Sequence, residues 1–183
     1  IDGNIYKTIL IGSQTWMAEN LKTTKLNDGT PVQFVPEGEL WNSTTPAYSI
    51  WYNGFYGAYY NFYVVQTGKL CPSGWHMPSN DEIKTLIDYL GGITEAGGKL
   101  KESGTTHWKS PNAGATNSSG FTALPGGYRP VSSSSFWGPG YQGRWWESNN
   151  GDIYIMNKDS ISVIYTGWYC MYQCGMTVRC IKD

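Results

Sequence analysis

The stretch Cys71–Ile83, CPSGWHMPSNDEI, decides how the rest of this chain is read. It holds a cysteine, a histidine and two acids close together. Such a group is the material of a nucleophile or metal site, and equally of a helix entrance. The residues after it favour the entrance. Ile83, Leu86, Ile87 and Leu90 fall at i, i+3, i+4 and i+7, one apolar stripe of a helix. Ser79 with Glu82 three residues on forms a capping box, and Asp81 and Glu82 suit the positive end of the helix dipole. Gly91-Gly92 closes the helix. A nucleophilic Cys71 would need a base within hydrogen-bond reach and a third group to orient that base. Instead it precedes Pro72 and leads straight into the capped helix. His76 reads as a partly buried ring bonded to backbone, and His107, in the turn GTTHW (104–108), as an exposed loop residue.

Working outward, 183 residues suit one domain, 1–183, with enough chain to bury a sizeable core. The 13 Lys and Arg nearly cancel the 14 Asp and Glu, so no net field steers the chain to nucleic acid or an anionic membrane. Aromatic residues match charged ones at 15%, too many for a disordered chain. Tyr and Trp in such numbers are typical of binding modules, where they supply stiff contact area. The four cysteines, Cys71, Cys170, Cys174 and Cys180, include no Cys-x-x-Cys pair, and His76 and His107 lie far apart. That is not the tight ligand spacing of a zinc site. An even number argues for disulfides and an oxidising compartment, buried free thiols being the other reading. No run of about 18 apolar residues is present. The expectation is an exported chain without a transmembrane segment, its export signal outside these residues.

Along the chain, residues 1–21 read as a hairpin. Ile5, Thr8 and Leu10 alternate, Gly12-Ser13 turns, and Trp16-Met17 begins the return. Residues 27–31, NDGTP, form a second turn, and 32–66 are irregular and aromatic. A shorter helix is expected over 94–102 around Leu100, weakened by Gly97-Gly98. Between 101 and 143 the chain is rich in Gly, Ser, Asn and Pro. GFTALP (120–125) reads there as a short strand and Ser132–Ser135 as an exposed loop. Strands are expected over 144–148, 152–156, 162–166 and 176–181. There is no internal repeat and no linker.

The blocks CPSGWHMP, GFTALPGGYRP, RWWES and TVRCIKD, with the opening DGNIYKTILIGSQTWMAENLK, look like the Fibrobacter succinogenes major paralogous domain. They follow the expected order over most of the chain. The resemblance implies a secreted or surface-anchored protein, the family being prominent in the Bacteroidetes–Fibrobacteres group. It implies an α+β, C-type-lectin-like fold, with one or two helices flanking small twisted antiparallel sheets and long loops. A looser relation joins that fold to formylglycine-generating enzymes. It further implies that Cys71 bonds Cys180 in the final strand, a closure worth about 4–5 kcal/mol in the chain-entropy model. Cys170 and Cys174 fit a small disulfide pinning a loop tip. They also resemble the copper-holding thiols of formylglycine-generating enzymes, from which this chain departs in spacing and length.

GRWWESNNGD (143–152) is the next candidate, since Ca²⁺ takes about six to eight oxygens. Sugar-binding C-type lectins use Glu-Pro-Asn or Gln-Pro-Asp and then Trp-Asn-Asp. Here Pro111-Asn112 lacks the preceding Glu, and Trp146-Glu147-Ser148 replaces the second motif. Calcium is therefore unsupported, and no cofactor is expected. Trp145 and Trp146 are expected on opposite strand faces, one ring in the core, with Asn149-Asn150-Gly151 as a hairpin turn. In the lectin-like fold the last loops and strands form the ligand face. Candidate ligand contacts are therefore Trp137, Tyr141, Arg144, Trp146, Asn149, Asn150, Trp168, Tyr169, Tyr172 and Gln173, beside Tyr52, Tyr56 and Tyr59. The expected role is non-catalytic recognition or adhesion at a bacterial outer surface, in an adhesin or lipoprotein, with a glycan or protein as ligand. A fimbrial assembly domain and a cysteine-dependent oxidase compete with it. A clustered exposed aromatic patch would favour recognition, a flat face or long edge assembly, and a concave site with perturbed thiols or histidines catalysis.

Overall fold

The computed structural model describes residues 2–149, 152–167 and 172–183. In chain order the elements are β1 (Thr8–Ile11), β2 (Gln14–Met17), β3 (Gln33–Phe34), β4 (Ala47–Ile50), β5 (Ala58–Tyr60), α1 (Phe62–Val65), β6 (Trp75–His76), α2 (Asn80–Tyr89), α3 (Ala96–Leu100), β7 (Gln142–Trp146), β8 (Asp152–Asn157), β9 (Val163–Gly167) and β10 (Ile181–Lys182). The first hairpin and the last strand share a sheet of order β1-β2-β10-β6. Trp16 of β2 pairs with Ile181 there and is fully buried. A second sheet, β3-β4-β5, is mixed, with β3 parallel to β4, and a third, β7-β8-β9, is antiparallel. The architecture is α+β, a few helices flanking small antiparallel and mixed sheets. Among the described residues no helix is long and apolar enough to cross a membrane.

The 71–83 stretch enters α2 as its sequence indicates. The Ser79 hydroxyl accepts the Glu82 N–H at 3.3 Å, and Glu82 Oε2 accepts the Ser79 N–H at 2.8 Å. At the other end the Gly92 N–H returns to the Ile87 carbonyl at 2.9 Å, and Gly91 takes φ +101°. Ile83, Leu86 and Ile87 bury their stripe in a core with Trp16, Trp108 and Phe121. Cys71 and Cys180 form a disulfide across 109 residues, tying the approach to α2 to the chain just before β10. Cys170 lies outside the described residues, and so does its pairing with the buried Cys174.

Several expectations change. The His76 ring bonds two carboxylates, not backbone. Its Nδ1 meets Asp183 at 2.7 Å and its Nε2 meets Glu82 at 2.8 Å, so the ring straps the end of β10 to the start of α2. Trp145 and Trp146 do point to opposite faces, but both are fully buried, because β7 runs between two cores and each ring enters one. GFTALP is not a strand. Only Ala123 makes a bridge, to Lys101, while the Phe121 and Thr122 carbonyls turn to Arg179. The expected strand at 176–181 shrinks to β10, with isolated bridges at Met176 and Thr177 before it. Residues 32–66 hold β3, β4, β5 and α1, none longer than four residues. Ile5 and Leu10 face solvent, and Ile11 and Trp16 supply the face of the hairpin that meets the α2 core.

So little regular structure leaves many carbonyls without ladder partners. Three buried cations collect them, each over an aromatic ring. Lys101 Nζ donates to the carbonyls of Ala113, Asn157 and Ser160 at 3.0, 3.0 and 2.8 Å, beside Trp108. Arg129 donates to the Val35, Pro36 and Glu39 carbonyls and to the Ser49 hydroxyl, over Trp41. Arg179 is the third. A charged donor to a buried carbonyl is stronger than a neutral one and spares each acceptor its desolvation penalty.

Two outcomes follow from this packing. A Cβ on Gly97 would stand 2.5 Å from the Ser162 carbonyl oxygen and 2.7 Å from that of Ile161. Helix propensity would favour Gly97→Ala by about 1 kcal/mol, but overpacking against rigid backbone costs about 1–3 kcal/mol. Gly97→Ala should therefore lower the urea midpoint despite lying in α3. The second outcome concerns pH. Burial alone would lower the His76 pKa, but the hydrogen bonds to Asp183 and Glu82 outweigh it and raise the value above the ordinary 6.5. Burial would raise Glu82, yet the Ser79 and His76 hydrogen bonds hold it below the ordinary 4.5. A raised histidine loses its stabilising charge as pH climbs through its folded pKa, and a lowered glutamate loses its own as pH falls through its folded pKa. The strap is thus complete between 4.5 and 6.5. Wild type should be more stable at the top of that window than one to two units above it, and His76→Gln should lose that difference.

Candidate functional site

A cavity of about 530 Å³ opens between the β1–β2 hairpin and the aromatic segment leading into β5. Its floor is a hydrogen-bonded hub. The buried Asn20 donates from Nδ2 to the Tyr56 carbonyl at 2.7 Å. Its Oδ1 accepts from Trp145 Nε1 and from Arg179 Nε, both at 2.9 Å. Arg179 directs its other nitrogens to the Phe121 carbonyl and, at 2.8 Å, to the Thr122 carbonyl, with its plane over the Phe121 ring. Burial pulls the guanidinium pKa down to about 10, so it stays charged at neutral pH. Thr122, a β-branched residue, is held at φ +55° by Asn117, whose Oδ1 accepts the Thr122 N–H at 2.8 Å.

The aromatic wall is Phe55 and Tyr56. Tyr52 and Asn53, just before it, take left-handed backbone at φ +49° and +52°. A bulky residue in that region costs about 1–2 kcal/mol, so the surrounding contacts must impose it. Gly57, at φ +88°, lies so close to Asn20 that a Cβ would reach the asparagine Cβ at 2.6 Å, which seats the wall on the hub. Trp51 stacks on Tyr56 with centroids 5.3 Å apart, and Phe55 meets Tyr56 edge-on at 5.1 Å. The His107 ring lies 4.6 Å from Phe55. It is only partly exposed, not the exposed loop residue that the sequence suggests. Its Nδ1 faces both Glu102 oxygens, at 2.8 and 2.9 Å, which fixes the ring behind the wall. Phe55 remains 43% exposed and Tyr52 66%.

The residues expected to bind ligand divide. Trp137 and Tyr141 are exposed, at 64% and 52%. Their loop meets the wall: Phe136 lies 5.8 Å from Trp51, and the Lys109 N–H beside His107 donates to Gly140 at 2.7 Å. Arg144 stacks over Tyr128 at 3.9 Å. Trp146 is a correction. Its ring is wholly buried against Phe62 and its N–H bonds the Tyr60 carbonyl, so it serves the core. Asn149 is exposed, its N–H on Glu147. Tyr172 packs on Phe62 and Tyr63 of α1, and Gln173 reaches the Asn42 carbonyl. Asn150, Trp168 and Tyr169 lie outside the described residues. Of the earlier aromatics, Tyr59 is wholly buried, its hydroxyl on the Gly126 carbonyl, and Tyr56 is mostly buried. Phe55, Asn20 and Arg179 carry no signal as site residues in the sequence. Only their meeting in space marks them. Among the described residues no group of three His, Cys, Asp or Glu side chains is placed to share a metal ion.

Fold and cleft together define an α+β domain with a polar-floored, aromatic-walled cavity. The chain belongs to the Fibrobacter succinogenes major domain family, whose model matches residues 9–182. No curated protein and no solved structure matches it.

The floor has a direct test. A lysine in place of Arg179 could not span Asn20 and both carbonyls, and each orphaned acceptor costs about 1–3 kcal/mol. Arg179→Lys should lower unfolding stability by about 2–4 kcal/mol in urea titration.

Proposed function

We propose that this domain is a non-catalytic recognition module at a bacterial surface, binding a glycan in the cleft between the β1–β2 hairpin and the Phe55 wall. The carrying observation is Phe55: an exposed ring on a wall braced by His107 and Tyr56 and preceded by strained backbone, beside a cavity of about 530 Å³. Sugar rings present an apolar face of C–H groups that stacks on such a ring, and their hydroxyls pair with a few fixed polar groups. The cleft offers Glu19, Asn20, Glu102 and Thr122 on its lining for that purpose. Ligand pockets commonly span about 300–1,000 Å³, which includes this one.

Two further observations support the surface setting. The Cys71–Cys180 disulfide belongs to an oxidising compartment. That bond, the sheet joining first hairpin to last strand, and the ten-residue helix α2 also support kinship with the C-type-lectin-like fold, in which one domain, 1–183, would form an adhesin or lipoprotein module. The site proposed for this chain then lies between the opening hairpin and the 51–57 loop, with Trp137 and Tyr141 extending it from the C-terminal half.

A glycan array, run with and without EDTA, tests the reading. Binding should survive EDTA. Phe55→Ala should weaken it about tenfold, the usual scale for a central aromatic contact. Tyr172→Ala should leave it unchanged, because that ring packs elsewhere. Binding that tracks Tyr172 and ignores Phe55 would move the site to the other face, and a silent array with capture of a protein ligand would replace the glycan.

A further inference from the structure

We infer that the cleft selects an acidic saccharide, one whose contacting sugar carries a carboxylate; this rests on the recognition reading above. The observation is an imbalance in how the charges around the cavity are used. Three cations line it, Lys7, Lys22 and Arg179, against two carboxylates, Glu19 and Glu102. Both carboxylates already have protein donors. Glu19 accepts the Lys7 backbone N–H at 2.9 Å, and Glu102 faces His107 Nδ1 with both oxygens. The cations outnumber these acids by one. Among the described residues, neither Lys7 nor Lys22 forms an ion pair, and both are exposed at the mouth. The buried Arg179 gives its hydrogen bonds to carbonyl and amide oxygens, and Glu19 opposes its charge only through space.

The ligand that completes this arrangement is anionic at the lysine end and apolar on the face that meets Phe55. A low-dielectric wall beside an excess of one sign of charge concentrates the field inside a cleft, so the effect exceeds that of the same excess on a flat surface. The chain as a whole carries a net charge of −1, so the excess is local to the cleft and is not a general basic character. A carboxylate on a sugar ring meets both demands in one residue. A neutral saccharide would use the wall and leave the ammonium groups in water.

The test pairs oligouronates with their carboxyl-reduced, neutral counterparts of the same linkage, titrated calorimetrically into the whole chain. The acidic member should bind about tenfold or more tightly than its reduced partner, and the difference should shrink as salt rises. Lys7→Gln with Lys22→Gln should erase the preference and spare the neutral member, while Lys7→Arg with Lys22→Arg should keep it. Both positions are exposed, so the variants should fold, with melting curves as the check. Equal binding of both members overturns the acidic inference and leaves glycan recognition standing. An acidic preference that ignores the lysines overturns the site assigned to it. Failure of every saccharide, with Phe55→Ala inert as well, overturns the recognition reading and this inference with it.

Discussion

The guanidinium of Arg179 is the contact on which the rest depends. It sits wholly buried beside β10 and holds three acceptors from distant parts of the chain: the amide of Asn20, the carbonyl of Phe121 and the carbonyl of Thr122. Asn20 passes the connection on to Trp145 and to the Tyr56 backbone. The opening hairpin, the GFTALP segment, β7 and the final strand therefore meet at one charge. Removing a single partner would leave a buried cation or several carbonyls unsatisfied, which costs more than any one of these bonds contributes.

The same arrangement recurs at Lys101 and Arg129. Strands of two to six residues satisfy few backbone groups, and long loops must still cross the interior. Charged side chains with several donors gather those loops where a ladder would otherwise do so. Aromatic rings fill the volume between them, which is why so many tryptophans are buried: Trp16, Trp41, Trp108, Trp145 and Trp146 are each fully enclosed. The disulfide adds a covalent tie between the α2 approach and the last strand. Floor and core are thus continuous, and the cleft inherits its rigidity from the hub below it.

Sequence signals are legible wherever the physics is local. The capping box at Ser79 and Glu82, the stripe from Ile83 to Leu90, the stop at Gly91-Gly92 and the Gly12-Ser13 turn all depend on neighbours within a few residues. Legibility fails where a partner lies far away. GFTALP looks like a strand by composition, but Arg179 takes its carbonyls. Gly97-Gly98 looks like a flaw in a helix, but Gly97 leaves space for the 161–162 backbone and Gly98 for the Gly114 carbonyl. Trp146 looks like a surface aromatic because its neighbours are polar, yet a strand lying between two cores has no outer face.

By itself, the sequence determined the family, the capped helix, the opening hairpin and, through the family resemblance, the Cys71–Cys180 bond. These follow from spacing, from residue chemistry at fixed offsets, and from blocks of sequence kept in order. Only the tertiary structure decided which aromatics are surface and which are core, that His76 is a strap between two acids, and that Asn20, Phe55 and Arg179 share one cavity. The reason is physical. Burial and charge pairing are set by what a side chain meets across the fold, and a residue such as Asn20 meets Arg179 only after 159 positions of chain have returned to it.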